Sequence, residues 1–119
     1  MGVALEYVKL NDLLKKAKEA FQKNDLKTAS LLLHEVIEQN PNSTEGFFHL
    51  ANVFHIRGEL GKAIKAFQRV LELDPHHTDA AISLSVILND IGKYEEAKSI
   101  FDRANNNVKN AQGQGISDP

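Results

Sequence analysis

Histidine is the residue type in this chain that could most readily bind a metal ion, because a neutral imidazole nitrogen is a common metal ligand. His49 and His55 stand six residues apart, whereas two ligands on one helix share an ion when they are three or four residues apart. His76 and His77 are neighbours after a proline, in a loop where adjacent side chains diverge. The chain has no cysteine, which excludes thiolate zinc sites and disulfides. We therefore predict no metal site.

Residues that could support catalysis are also poorly placed for it. Glu95 and Glu96 are paired carboxylates, but they fall in the first turn of a predicted helix, where the helix dipole favours acidic residues for structural reasons. Gly113 and Gly115 form too short a glycine pattern for a phosphate-binding loop, and no nucleophile elbow is present. The sequence thus predicts a protein that is not an enzyme and that needs no cofactor.

The elements that carry these residues follow a repeat. Ala29, Ala63 and Ala97 stand 34 residues apart, and a period of this length is typical of a helix–turn–helix unit. The same spacing relates Phe67 to Phe101, with Leu33 before them; Pro41 to Pro75; and Gly58 to Gly92, with Asn24 before them. Because one unit cannot bury its apolar face alone, neighbouring units stack along one shared core.

The second copy shows the pattern most clearly. Its first helix is indicated by apolar residues spaced i, i+3, i+4 and i+7, namely Phe47, Leu50, Ala51 and Phe54. Ser43 and Thr44 are candidate N-caps, and Gly58 ends this helix by adopting a left-handed conformation. A second helix follows from about Leu60 and stops at Pro75.

This pattern resembles the tetratricopeptide repeat family, whose signature combines a large apolar residue, a leucine, a small residue, an aromatic, a distant Ala-x-x-x-Phe and a closing proline. The second copy fills every signature position: Phe47, Leu50, Ala51, Phe54, Ala63, Phe67 and Pro75. The first copy departs from the signature at Lys16 and Ala20, and the third has Lys109 in place of the proline. The match covers roughly residues 10–111. The resemblance implies an all-α fold, an α-solenoid of three stacked helix–turn–helix repeats in a right-handed superhelix with a concave groove.

The domain organisation follows from the same register. We predict an extension of the first helix over 1–9, repeats over 10–43, 44–77 and 78–111, and a disordered tail over 112–119. Asn105 and Asn107 stand one period after Leu71 and Leu73. The end of the array therefore has a polar outer face, and no fourth repeat is expected to cover it.

Small residues are expected where helices cross. Ala17, Ala51 and Ser85 would lie at the crossing within each repeat, because a larger side chain would hold the helices further apart than the usual ~8–10 Å. Phe67 and Phe101 would then fill the space beside the alanines of the second helices.

The resemblance also implies a binding surface, because the first helices of such repeats line the groove. The residues it places there are Leu14, Lys18, Phe21, Phe48, His49, Asn52, His55, Ile82, Val86 and Asn89. Apolar side chains mixed with amide and imidazole groups suit an extended peptide or an amphipathic helix of a partner protein. The alternative is that Phe21 and Phe48 only complete the scaffold. The leading hypothesis is a noncatalytic scaffold or adaptor.

One binding mode of this family, the capture of a C-terminal carboxylate by lysine and asparagine, is not predicted. The positions concerned hold Leu14, Lys18, His49, Asp79 and Ser83. Asp79 would repel a carboxylate.

A second hypothesis is structural self-assembly, in which the ends of the array form a homo-oligomer. Ile87 and Ile91 stand one period after Val53 and Arg57, so the third copy is unusually apolar along this line. They are candidate self-association residues, because exposed apolar patches mark interfaces. The alternative is that they pack within their own repeat.

Composition limits the partners and the location. Apolar residues make up 42% of the 119 residues and charged residues 25%, as in a globular domain. The net charge of −2 gives no electrostatic reason to expect nucleic acid. The first residues lack the basic and apolar regions of a signal peptide, and the most apolar segment, 80–88, is too short to span a membrane. We therefore expect a cytoplasmic protein without membrane insertion.

Overall fold

The computed structural model describes the backbone of residues 2–113 and the side chains of residues 5–106. Within this part of the chain there are six α-helices and no strand. The helices are α1 (Gly2–Gln22), α2 (Leu26–Gln39), α3 (Thr44–Ile56), α4 (Leu60–Leu73), α5 (Thr78–Asp90) and α6 (Tyr94–Gly113). The predicted all-α class is confirmed, and so is the start of the fourth helix at Leu60. The division of α1 into an extension over 1–9 and a repeat from residue 10 stays a prediction.

The chain forms two compact units, Met1–Ala66 and Phe67–Pro119, which divide within α4. In the first unit α1 packs against α2, and α3 contacts both of these helices. In the second unit α5 packs against α6. The predicted repeat boundaries stay a prediction. The disordered tail over 112–119 stays one as well: α6 ends at Gly113, and residues 114–119 lie outside the described part of the chain.

The core of the first unit is built from small and branched side chains of its first three helices. The buried members are Ala17, Ala20, Ala29, Leu33, Leu50 and Val53. Gly46 lets α3 approach α2 closely, because a Cβ atom on it would lie 3.1 Å from Cγ1 of Val36 and 3.3 Å from Cγ1 of Ile37. A side chain at this position would push these neighbours aside.

The core of the second unit contains larger side chains. Its fully buried members are Phe67, Val70, Leu84, Ile87 and Leu88. Ser85 is buried as well, and its hydroxyl donates a hydrogen bond of 2.7 Å to the carbonyl oxygen of Ala81, so its polar group is satisfied. The burial expected for the small repeat residues is confirmed for Ala17, Ala29, Ala51, Ala63, Ser85 and Ala97.

Two apolar residues of the second unit differ from expectation. Phe101 does not fill the core: its side chain is 50% exposed, because no helix follows α6 within the described residues to cover it. Ile87 is only 1% exposed and packs within its own unit, so it is not available for self-association. Ile91 is 42% exposed and remains a candidate for that role.

The turns between paired helices repeat in conformation. Asn24, Gly58 and Gly92 stand 34 residues apart and have φ angles of +62°, +78° and +86°. The left-handed conformation costs little for glycine and is tolerated by asparagine. The left-handed turn predicted at Gly58 is confirmed.

The starts of α3 and α5 are capped by different side chains at equivalent positions. The hydroxyl oxygen of Ser43 accepts a hydrogen bond of 3.0 Å from the amide of Gly46. Thr44 is the first residue of α3 rather than its cap. One period later, Nδ1 of His77 accepts a hydrogen bond of 3.1 Å from the amide of Ala80. His77 therefore has a structural role in starting α5.

Replacing Phe67 with alanine tests the packing of the second unit. Because the side chain is fully buried, F67A should lower the free energy of unfolding by about 3–5 kcal/mol through the cavity it leaves. F101A is the matched control, since it changes the same residue type at the equivalent, half-exposed position and should cost far less. Urea denaturation measures both values, and equal losses would contradict the assigned burial.

Two glycine substitutions should change stability in opposite directions. G58A should cost about 1–2 kcal/mol, because an alanine would be held in the left-handed conformation. G61A should gain about 0.5 kcal/mol, because Gly61 lies within α4 and alanine favours the helix. A Cβ atom at either position meets no neighbouring atom within 4 Å, so the change in stability comes from the backbone conformation alone. Thermal melts that shift in the same direction would contradict this explanation.

Candidate functional site

The exposed face of α3 is the part of the predicted surface with the most varied chemistry. Phe48, His49, Asn52 and His55 are all half-buried there. The rings of Phe48 and His49 lie 5.5 Å apart between centroids, at an angle of 65°. The face thus combines an aromatic ring, two imidazoles and an amide on one rigid helix.

The α1 residues of the first unit fall into two roles. Leu14 and Phe21 are partly buried and pack against the core cluster of this unit. Both therefore support the scaffold while keeping part of their surface exposed, which agrees with the scaffold alternative for Phe21. Lys18 is exposed, and its Nζ lies 3.0 Å from Oε2 of Glu45, so an ion pair connects α1 to the first turn of α3.

In the second unit, α5 presents the three remaining residues of the predicted surface. Ile82 is 42% exposed and Val86 is 49% exposed, and Asn89 is exposed as well. Their spacing of i, i+4 and i+7 places them on one face of α5. Two adjacent apolar side chains followed by an amide therefore form a small amphipathic surface.

Seven of the ten predicted residues lie in the first unit and three lie in the second. Leu14 and Phe48 thus belong to one unit and Ile82 to the other. That all ten line one groove stays a prediction, as does the binding role of each residue.

The second unit also has a cleft of about 580 Å³ that sequence reasoning missed. Ala81 and Leu84 of α5 line it, on a different face from Ile82 and Val86. Its polar lining comes from Gln68 and Glu72 of α4 and from Glu96, Ser99 and Arg103 of α6. No motif signals it, because its lining residues are ordinary side chains from three separate helices.

The electrostatics of the first unit bear on the ligand. The ammonium group of Lys18 is paired with Glu45 and is therefore partly neutralised. An anionic end of a peptide would have to compete with that carboxylate. That a terminal carboxylate is not the ligand stays a prediction.

Two other kinds of site are not found in the described part of the chain. There, no three histidine, aspartate or glutamate side chains lie close enough together to hold a metal ion. None of the described helices combines the length and the apolar character that a membrane span requires.

Comparison with known proteins agrees with the helical repeat. Two family models, both described as tetratricopeptide repeat, match residues 14–78 and 54–116. A curated relative, the DnaJ homolog subfamily C member 7 homolog of Schizosaccharomyces pombe, is 32% identical over 84 residues. These residues make up 71% of this chain but 17% of that protein, so the chain spans less than a fifth of the relative's length.

Solved structures share the fold at low sequence identity. A crystal structure of MamA has a TM-score of 0.83 and 20% identity, covering 87% of this chain and 60% of that one. The TPR2B domain of yeast Sti1, in a complex with pHsp70, has a TM-score of 0.81 and 22% identity, covering 90% of this chain and 86% of that one. At these identities the likeness shows a common fold.

Proposed function

Because the chain belongs to the tetratricopeptide repeat family, we propose that it is a noncatalytic protein-interaction module that binds a peptide or an amphipathic helix of a partner protein. It acts as a scaffold or adaptor in the cytoplasm. Among the described residues, no three histidine, aspartate or glutamate side chains are grouped closely enough to hold a metal ion. The sequence has no nucleophile elbow or phosphate-binding loop. The structure of the Sti1 domain is described as a complex with pHsp70, which supports a binding role for this fold.

The observation that carries the proposal is the mixed surface of α3. Phe48 offers a half-buried aromatic ring, the kind of side chain that dominates binding energy at protein interfaces. Asn52 lies one turn further along the same face, and its side chain can both donate to and accept from a peptide backbone. Together they provide an apolar anchor and a polar group that fixes the orientation of a bound segment.

The α5 surface suits the same class of ligand. Ile82 and Val86 are exposed apolar side chains one helical turn apart, a spacing that matches the i and i+4 apolar residues of an amphipathic helix. Asn89 adds a polar group at the end of this pair. Each unit therefore offers an apolar anchor next to an amide.

The ion pair between α1 and α3 indicates which partner is disfavoured. Lys18 is engaged by Glu45 at 3.0 Å, and a carboxylate approaching it would be repelled by the glutamate. The proposed ligand is therefore an internal segment anchored by apolar side chains, rather than a free C-terminus.

The double substitution F48A/N52A tests the proposal. It removes the aromatic anchor and the amide, so it should reduce the amount of captured partner about tenfold or more in affinity capture from native lysate. A synthetic segment of the captured protein should show the same loss by isothermal titration calorimetry. I82S/V86S tests the α5 surface in the same assay.

L31A is the matched control for these variants. Leu31 is 64% exposed on α2, outside the proposed surfaces, and its substitution should leave capture unchanged. Circular dichroism melts show whether each variant is folded. If folded F48A/N52A and folded I82S/V86S both capture the partner as well as the native protein does, the proposed surfaces are wrong.

A further inference from the structure

The last helix presents an uncovered stripe of side chains. Tyr94, Lys98, Phe101 and Asn105 are spaced i, i+4, i+7 and i+11, so they share one face of α6. Tyr94 is 64% exposed and Phe101 is 50% exposed. Two aromatic rings of this size on one solvent-facing stripe are typical of an interface rather than of ordinary surface.

Equivalent positions on the earlier second helices are covered. Leu33 and Phe67 stand two periods and one period before Phe101, and both are 0% exposed. In the first unit, Leu33 belongs to the core cluster together with Leu50 and Val53 of α3. The stripe of α6 therefore corresponds to the face of α2 that packs against α3.

The backbone of α6 does not lead into a regular covering helix. The helices α2 and α4 are each 14 residues long and end before an Asn-Pro or Asp-Pro turn, whereas α6 is 20 residues long and continues through the equivalent position. The chain therefore does not turn back where a next repeat in this register would begin.

The opposite end of the array cannot cover this stripe either. The residues of α1 that stand one period before Gly46, Leu50 and Val53 are Asp12, Lys16 and Glu19. Asp12 and Lys16 form an exposed ion pair of 3.1 Å. In a head-to-tail stack, the stripe of α6 with Phe101 would pack on this charged face of α1 in the next copy. The charges would then be buried without water, which is unfavourable.

We propose that the exposed stripe of α6 is a self-recognition surface, on which the α6 helices of two copies pair antiparallel about a twofold axis. The axis crosses α6 at the level of Ile100, whose own side chain lines the cleft and not the stripe. In this arrangement Lys98 of each copy lies opposite Asp102 of the second copy. The two Phe101 rings lie side by side at the centre, flanked by these two ion pairs.

The charge pattern of α6 is self-complementary in this register. Lys98 and Asp102 already form an ion pair of 2.9 Å within one helix, and both side chains are exposed. The hydrogen bond to Asp102 raises the pKa of the Lys98 amine above its ordinary value. The other charged residues of α6 meet no like charge in this arrangement. Glu95 lies opposite Asn105 of the second copy, whereas Glu96 and Arg103 line the cleft of their own unit and lie off the stripe. The twofold contact is closed, so it yields a dimer and not a filament.

The expected affinity follows from the size of the contact. One helix from each copy buries less area than the roughly 1,200 Å² at which stable interfaces begin, so the dimer should dissociate in the micromolar range. This surface is separate from the α3 and α5 surfaces, and the inference does not depend on them. The two proposals can therefore fail independently.

Charge-reversal variants test the pairing by sedimentation velocity over a concentration series. K98D and D102K should each weaken dimerisation about tenfold or more, because like charges then face each other twice across the twofold axis. An equimolar mixture of K98D and D102K should restore a dimer to within about threefold of the native affinity, because every opposing pair is then of opposite charge. Such rescue requires Lys98 of one copy to meet Asp102 of the other.

An apolar variant with a matched control completes the test. F101S should also weaken dimerisation about tenfold, whereas L31S, at an exposed leucine outside the stripe, should not change it. F48A/N52A should dimerise normally, so loss of partner capture is distinguishable from loss of the dimer. The proposal is overturned if the native protein stays monomeric at about 1 mM, if species larger than a dimer grow with concentration, or if the charge-reversed mixture is not rescued.

Discussion

The structure depends on covering the apolar stripe of each second helix with another helix. Leu33 and Phe67 occupy the same repeat position on this stripe, and both are fully buried. Burying such side chains supplies the hydrophobic stabilisation that a single helical hairpin lacks. The small residues beside them, such as Ala29 and Ala63, are buried as well and keep neighbouring helices close. Where no described helix covers it, as at Phe101, the same position is exposed.

The core and the proposed recognition surface lie on different faces of the same helices. On α3, Leu50 and Val53 are buried in the core, while Phe48 and Asn52 remain half-exposed on the other side. The buried residues repeat with the 34-residue period because each copy packs its helices in the same way. The exposed set differs from copy to copy, and that difference is what allows a repeat to select a partner.

Residues whose role depends on local geometry were predictable from the sequence, whereas residues whose role depends on distant neighbours were not. The left-handed turn at Gly58 and the cap at Ser43 need only a few adjacent residues, and both are confirmed. Phe101 has the residue type of a core position, but its burial depends on a further helix, and none follows α6 among the described residues. Ile87 shows the converse, because its apolar character indicated an interface and its own unit encloses it. The cleft beside Leu84 had no sequence signal, since three helices each contribute ordinary residues to it.

Hydrogen exchange followed by mass spectrometry at increasing protein concentration tests most directly whether an uncovered second helix acquires a covering partner. Amides in the middle of α2 should exchange at the same slow rate at all concentrations, because Leu33 is covered within its own unit. Amides around Phe101 should exchange more slowly as concentration rises, since a second copy then covers that face. Exchange around Phe101 that does not change with concentration would contradict this account.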